Sequence, residues 1–186
     1  MSVFASDQII TLPSITLQVT EDTEKSYKVS ASSAATRTNT TLKETPQAVT
    51  VVPEAVLKDI QATRLSEALD VAGVGRANNF GGQGLTTFTS RGFTSGEYYR
   101  NGFPINRGYP NAPDSSTVER VEVLKGASSS LYGRGDPGGT FNVVSKTPQA
   151  ERKTTLGLNV DEEGLYRGTV DTTGALTEDK SLTYRL

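Results

Sequence analysis

The chain has 186 residues, with 19 lysines and arginines against 21 aspartates and glutamates, a formal net charge of −2, and 34% hydrophobic residues. Near-balanced charge without a basic stripe argues against a nucleic-acid partner, and the absence of cysteine and histidine excludes a disulfide framework, a Cys/His zinc site, a catalytic thiol and a histidine base. No apolar run approaches the ~20 residues that a membrane helix requires, and with 18 glycines the composition predicts a small core with many loops.

Val3-Phe4-Ala5 either resembles the small-x-small end of a signal peptide or is a meaningless tripeptide after a start methionine. Residues 6–35 are polar, rich in serine and threonine, and read as a flexible arm. Within it Ile15, Leu17 and Val19 alternate with Thr16, Gln18 and Thr20. A solitary strand of this kind could add to another protein's sheet edge or stay an ordinary strand or tail.

Residues 45–52 predict a strand, and Pro53 and Glu54 open a helix through about Gln61. A second helix is expected over 65–71, with Leu65, Ala68, Leu69 and Ala72 on one side and Gly73 and Gly75 ending it. Residues 76–85 form a glycine- and asparagine-rich loop, residues 86–91 a strand, and residues 94–96 a turn. Residues 97–100 run into Asn101-Gly102, a strong hairpin signal, and residues 107–114 make an irregular loop.

The most informative stretch is 118–148, VERVEVLKGASSSLYGRGDPGGTFNVVSKTP. It reads as a strand stopped by Gly126, one or two helical turns over 127–132, a glycine-rich turn, and a strand from Phe141 to Val144. Glycines at 133, 135, 138 and 139 in one connection imply positive φ or very close packing. After Pro148, Leu156, Leu158 and Val160, then Tyr166, Gly168 and Val170, alternate with polar residues in ~10-residue strands, with Leu182, Tyr184 and Leu186 continuing the pattern. A membrane β-barrel wall and a soluble antiparallel sheet both show such alternation.

This stretch resembles the end of the plug domain of TonB-dependent outer-membrane siderophore receptors. Glu119, Arg120, Glu122, Lys125, Gly126, Leu131, Tyr132, Gly133, Gly135, Pro137, Gly138, Gly139, Asn142, Lys146 and Pro148 match the family's pattern, while Ala127 stands where proline is commoner. Thr45-Pro46-Gln47, Leu65-Ser66-Glu67-Ala68-Leu69, Gly73-Val74, Arg91-Gly92-Phe93 and Asn101-Gly102 extend the resemblance, in the family's order, over about residues 36–150.

The resemblance implies an α+β plug with a small mixed sheet and short helices, followed by the first antiparallel strands of a truncated transmembrane β-barrel. The expected organisation is an arm at 1–35, a plug at 36–150 and barrel strands at 151–186, the chain being a fragment cut inside a third strand. The parent protein would import ferric siderophore across the outer membrane, with TonB, ExbB and ExbD as partners and the arm in the periplasm. Iron would be carried only as the siderophore complex, with no cofactor of the chain's own. Ile15, Thr16, Leu17, Gln18 and Val19 are the expected TonB box, with residues 7–12 as a rival position. Arg76, Tyr98, Tyr99, Arg107 and Tyr109 are the expected ligand contacts on outward loops, where aromatic planes and guanidinium groups suit an oxygen-rich chelate. Arg91 and Lys125, with Glu119 and Arg120, are candidates for a plug–barrel lock; salt bridging inside the plug is the alternative for Glu119, Arg120 and Glu122.

Other patterns carry less. Gly133-x-Gly135-x-x-Gly138 satisfies a dinucleotide fingerprint but follows a helix-like segment, contains Pro137 and precedes a strand, the reverse of what that fingerprint needs. The acidic pairs 162/163 and 178/179 sit in turns without an orienting partner, and no nucleophile, base and orienter can be assembled.

Overall fold

The protein was analysed as a computed structural model that describes residues 26–38, 40–76, 87–95, 98–105, 113–133, 135, 137–160, 162 and 164–186. A short antiparallel pair comes first: β1 (Ala31–Ser32) with β2 (Thr40–Thr41). β3 (Ala48–Pro53) then leads directly into α1 (Glu54–Asp59), with Pro53 as the N-cap residue rather than the first helical one. α2 (Leu65–Val71) occupies the expected span, and the Glu67 carboxylate accepts the Thr63 N–H at 2.8 Å. Gly73 at φ 69° ends it with a backbone that β-carbon-bearing residues seldom adopt.

β4 (Gly75–Arg76), β5 (Phe88–Ser90) and β6 (Phe93–Ser95) form a small antiparallel sheet. The turn in it falls at Arg91-Gly92, not at residues 94–96 as the sequence suggested. Both turn residues have positive φ, 51° and 83°, and Ser90 pairs with Phe93, so this is a two-residue I′ hairpin. Glycine at the second position signals the turn; arginine at the first hides it. The Asn101-Gly102 hairpin between β7 (Tyr98–Arg100) and β8 (Phe103–Pro104) has the same geometry and the expected position.

The central sheet adds β9 (Val118–Lys125) and β10 (Gly139–Ser145), in the order β3-β9-β10-β7-β8. β10 runs parallel to β7 and antiparallel to β9, which makes the sheet mixed. Between β9 and β10 lies α3 (Ser129–Tyr132), and the glycines there behave as two classes. Gly133 has φ 74°, whereas Gly138 and Gly139 are close approaches: added β-carbons would lie 2.6 Å from the Ser90 carbonyl oxygen and 2.3 Å from that of Leu124.

The two faces of this sheet differ. Register places Val52, Val121 and Val143 on one face with Val123, Phe141 and Tyr98, and all pack in a single core with Leu57, Leu65, Ala68, Leu69 and Phe88. Phe141 lies 6.0 Å from Phe88 and 6.4 Å from Tyr98, ring centre to ring centre. The opposite face carries Glu122, Asn142, Thr140 and Tyr99, and is covered by residues 31–37 and α3. The end of the expected flexible arm is therefore seated structure: Ser32 and Ala34 are fully buried. Their small side chains carry no apolar periodicity by which the sequence could reveal it.

The last part of the chain is a three-stranded antiparallel meander of β11 (Lys153–Val160), β12 (Tyr166–Ala175) and β13 (Thr183–Arg185). Leu156 pairs with Val170 and Val160 with Tyr166 on the side facing away from the rest of the molecule. Thr155 pairs with Asp171, Gly157 with Thr169 and Asn159 with Arg167 on the side facing the plug-like domain.

Candidate functional site: the seam between the domain and the strand meander

β12 presents Arg167, Thr169 and Asp171 at two-residue spacing, which puts all three on one face, and β13 adds Arg185 by pairing with Thr173. Against them the folded domain presents Asp114, from the turn before β9, Lys146, just past β10, and Glu54, at the start of α1. Lys146 Nζ lies 2.8 Å from Glu54 Oε1 and 3.0 Å from Asp171 Oδ2. Arg185 donates to both Asp171 oxygens, at 2.9 and 2.7 Å, and to the Thr147 carbonyl at 2.9 Å. Lys58 adds a 2.7 Å contact to Glu54. Arg167 pairs with Asp114.

Opposite charges meet across the seam at two points, Arg167 with Asp114 and Asp171 with Lys146. Glu54 and Lys146 are largely buried, so each needs its partners: an ion left orphaned there costs several kcal/mol. At Asp114 burial works to raise the carboxyl's pKa, but hydrogen bonds from Ser116 and the Arg167 charge outweigh it and hold the group below its ordinary value. Around the network lies a cavity of about 520 Å³, lined among others by Arg100, Lys146, Asn159, Arg167, Asp171 and Arg185.

The residues that the sequence nominated for the lock are arranged otherwise. Arg120 bridges Glu119 at 2.5 Å and Glu122 at 2.9 Å, so these three pair with one another inside the domain, the alternative that the sequence left open. Arg91 sits at an exposed hairpin turn, not in a strand, with its guanidinium against Gly126 (3.0 Å from the position of an added β-carbon). Lys125, next to Gly126, extends its amine towards Gly73. Both cations thus stand at one end of β9, and neither is in an ion pair recorded among the described residues.

Of the expected ligand contacts, Tyr98 and Tyr99 are corrected. Both lie in β7 and are almost fully buried, Tyr98 against Phe141 and Tyr99 4.6 Å from the Tyr132 ring. The Asn101-Gly102 turn and parallel pairing with β10 draw this strand into the middle of the sheet, whereas sequence proximity to a loop suggested an outward position. The backbone of Arg76 is in β4, opposite Phe88. Arg107, Tyr109 and the box residues Ile15, Thr16, Leu17, Gln18 and Val19 lie outside the described residues.

The sequence reading did not single out the seam. Its signal was available: Asp171 and Arg167 fall on the polar side of an alternating strand, and inward charges in such a strand demand partners of opposite sign.

Comparison with known proteins gives this geometry a context. The family described as "TonB-dependent Receptor Plug Domain" matches residues 41–140. The chain is 50% identical over 177 residues to the metal-pseudopaline receptor CntO of Pseudomonas aeruginosa, covering 91% of this chain and 25% of that protein. It is 32% identical over 154 residues to the ferric-pyoverdine BN7/BN8 receptor of Pseudomonas putida, covering 82% of this chain and 19% of that protein. The pyoverdine outer membrane receptor FpvA of Pseudomonas aeruginosa bound to pyoverdine superposes with a TM-score of 0.79 at 31% identity, over 89% of this chain and 25% of that one. The alcaligin outer membrane receptor FauA of Bordetella pertussis gives 0.76 at 28% identity, over 87% of this chain and 29% of that one. The chain thus spans about a quarter of the length of the curated relative to which it is 50% identical.

Proposed function

The chain belongs to the TonB-dependent receptor plug family, and from that premise we propose that it is the plug, with the first wall strands, of an outer-membrane receptor that imports a metal bound to an organic chelator. One observation carries the reading. The meander is inside-out for a water-soluble sheet: Leu156, Leu158, Tyr166 and Val170 are 66–78% exposed, while Asp171, Arg167 and Arg185 turn towards the plug. Apolar side chains facing outward and polar ones facing inward are what a strand needs when lipid lies on one side and a plug on the other. In a soluble binding or signalling module, the alternative reading, such a patch would be an aggregation liability.

In this reading metal enters only as its chelate, and the plug's own residues make and break no substrate bond. Arg76, Arg107 and Tyr109 are ligand contacts, joined by wall residues elsewhere in the parent protein. Arg91 and Lys125, two cations at one end of β9, meet anionic groups of the barrel wall. Ile15–Val19 adds as a strand to TonB, which with ExbB and ExbD couples the inner-membrane proton gradient to plug movement. A nutrient captured at nanomolar concentration is held by about −12 kcal/mol, and most of that affinity appears as slow release. A mechanical input to the plug then accelerates delivery. The relative named for metal-pseudopaline, at 50% identity, favours a chelate of that kind over a pyoverdine, the ligand named for relatives near 32%.

The test is uptake of radiolabelled metal by cells with and without the parent gene, over a panel of ferric siderophores and metal-pseudopaline. Loss of uptake of one chelate on deletion, restored by the gene and not by its Ile15→Pro variant, is expected. In that variant proline removes a ladder donor, so binding persists while transport stops. Unchanged uptake of every chelate after deletion refutes the reading.

A further inference from the structure

The seam cavity holds more positive charge than the pairs around it consume. Among the described residues five cations line it, Lys58, Arg100, Lys146, Arg167 and Arg185. The lining carboxylates are Glu54 and Asp171, and counting Asp114, which pairs with Arg167, makes five cations against three anions. Those anions are already engaged. Glu54 receives Lys58 and Lys146, at 2.7 and 2.8 Å, and Asp171 receives Lys146 at 3.0 Å and the Arg185 fork at 2.9 and 2.7 Å. Arg100 differs from the other four: among the described residues no carboxylate pairs with it. Its Nε donates to Ser145 Oγ at 2.8 Å. That bond steadies the side chain and leaves both terminal nitrogens, the end-on fork that fits a carboxylate or a phosphate, without a described partner.

The fold accounts for the position. β7 alternates, so Arg100 shares the face of Tyr98, which belongs to the apolar core, but it is the last residue of the strand. The Asn101-Gly102 turn follows at once, and Ser145, the last residue of β10, stands beside it. The guanidinium therefore leaves the core where the sheet ends and lines the seam. Half-buried between two protein layers, it lacks part of the hydration that a surface arginine has, and an anion there lowers its energy. Thr155, Thr169 and Asn159 add polar groups from the wall side. At about 520 Å³ the cavity falls within the ~300–1,000 Å³ typical of small-molecule sites and far exceeds the ~30 Å³ share of one water. An anion can therefore enter it with water still around it.

We propose that the seam cavity is an oxyanion site with the Arg100 fork as its recognition group, and that its occupant is a free carboxylate of the metal chelate as it passes between plug and wall. The substrate class is thereby narrowed to chelates that keep a carboxylate uncommitted to the metal. One fork in a wet cavity holds weakly, which suits a group that has to move on. Free inorganic phosphate offers the same oxygens, and the two sources differ in what they do to uptake. The passage role rests on the transport reading above; the oxyanion site does not.

Calorimetric titration of the purified full-length receptor tests the site. The probes are citrate and inorganic phosphate at fixed ionic strength, with trimethyl citrate, the same skeleton without carboxylates, as the control. Citrate should bind and trimethyl citrate should not. Arg100→Gln should weaken citrate at least about tenfold, the loss of one charge-assisted fork. Arg100→Lys keeps the charge without the fork and should fall between the two; if Arg100→Gln does not assemble, it carries the test alone. Arg152→Gln removes an exposed cation outside the cavity and should bind citrate as the parent does. In cells, Arg100→Gln should lower severalfold the uptake rate of whichever chelate of the panel the parent gene imports, at saturating chelate. Citrate binding that is absent, or untouched by Arg100→Gln and Arg100→Lys, overturns the site, as does an equal loss in Arg152→Gln. Binding of phosphate but not citrate, or uptake unchanged in Arg100→Gln, assigns the cavity to a free oxyanion and overturns the passage role. Cells that import none of the panel refute the transport reading, and the titrations then still decide the site.

Discussion

β9 and β11 are built from similar residues and end in opposite surroundings. Both alternate branched apolar residues with polar ones, yet Val121 and Val123 are completely buried while Leu156 and Leu158 are 74% and 76% exposed. In β9 the apolar side chains meet two helices; in β11, beyond their cross-strand neighbours in β12, no described element covers them, and the polar side meets the plug. Amphipathic alternation fixes that a strand has two faces. Which face points inward depends on what lies outside it, water for one and, in the proposed function, lipid for the other.

The largest effect that separates the two regions comes from putting a charge on each apolar face. Val123→Asp places an unpaired carboxylate in the plug core and should cost on the order of 3–5 kcal/mol, seen as loss of assembled receptor or a lowered urea midpoint. Leu158→Arg should cost ~2–4 kcal/mol if that position lies near the bilayer midplane, measured for the full-length receptor in lipid vesicles. A neutral Leu158→Arg would make the meander an ordinary soluble sheet and collapse the comparison.

A smaller effect measures how tightly the two regions hold each other. Lys146→Ala and Asp171→Ala, alone and combined, should give a coupling on the order of 1–2 kcal/mol in a double-mutant cycle of receptor unfolding, because Lys146 reaches Asp171 from the plug at 3.0 Å. Additive effects would mean that plug and wall are merely adjacent at that point.

The smallest is a pH effect at the other end of the seam. The Asp114 carboxyl titrates below its ordinary value, so its contribution is present above the ordinary pKa of 3.8 and is lost as pH falls through the lower, folded-state value. Asp114→Asn should therefore be less stable than the parent at neutral pH, and the gap should close in acid. A gap independent of pH would show that the Arg167 contact contributes nothing through charge.

Much of the plug was legible in the residues. Leu65, Ala68 and Leu69 mark α2, Asn101-Gly102 marks a hairpin, and the glycines at 138 and 139 announce the close approaches found there. These are local signals, set by helix period, turn geometry and the room a β-carbon needs. The Arg91-Gly92 turn was missed because arginine is an uncommon first residue in an I′ turn, and Tyr98 and Tyr99 were placed outward because strand order is not a local property.

What the sequence determined by itself is the plug resemblance and the list of strands and helices, because each depends on neighbours within a few residues. Only the tertiary structure decided which charges meet. Glu54 and Asp171 stand 117 positions apart and share one lysine, and Glu122 is covered by Ser33 from 89 positions away. Such pairings depend on how β9 and β10 bring distant segments together, and Coulomb attraction and desolvation act through that space rather than along the chain.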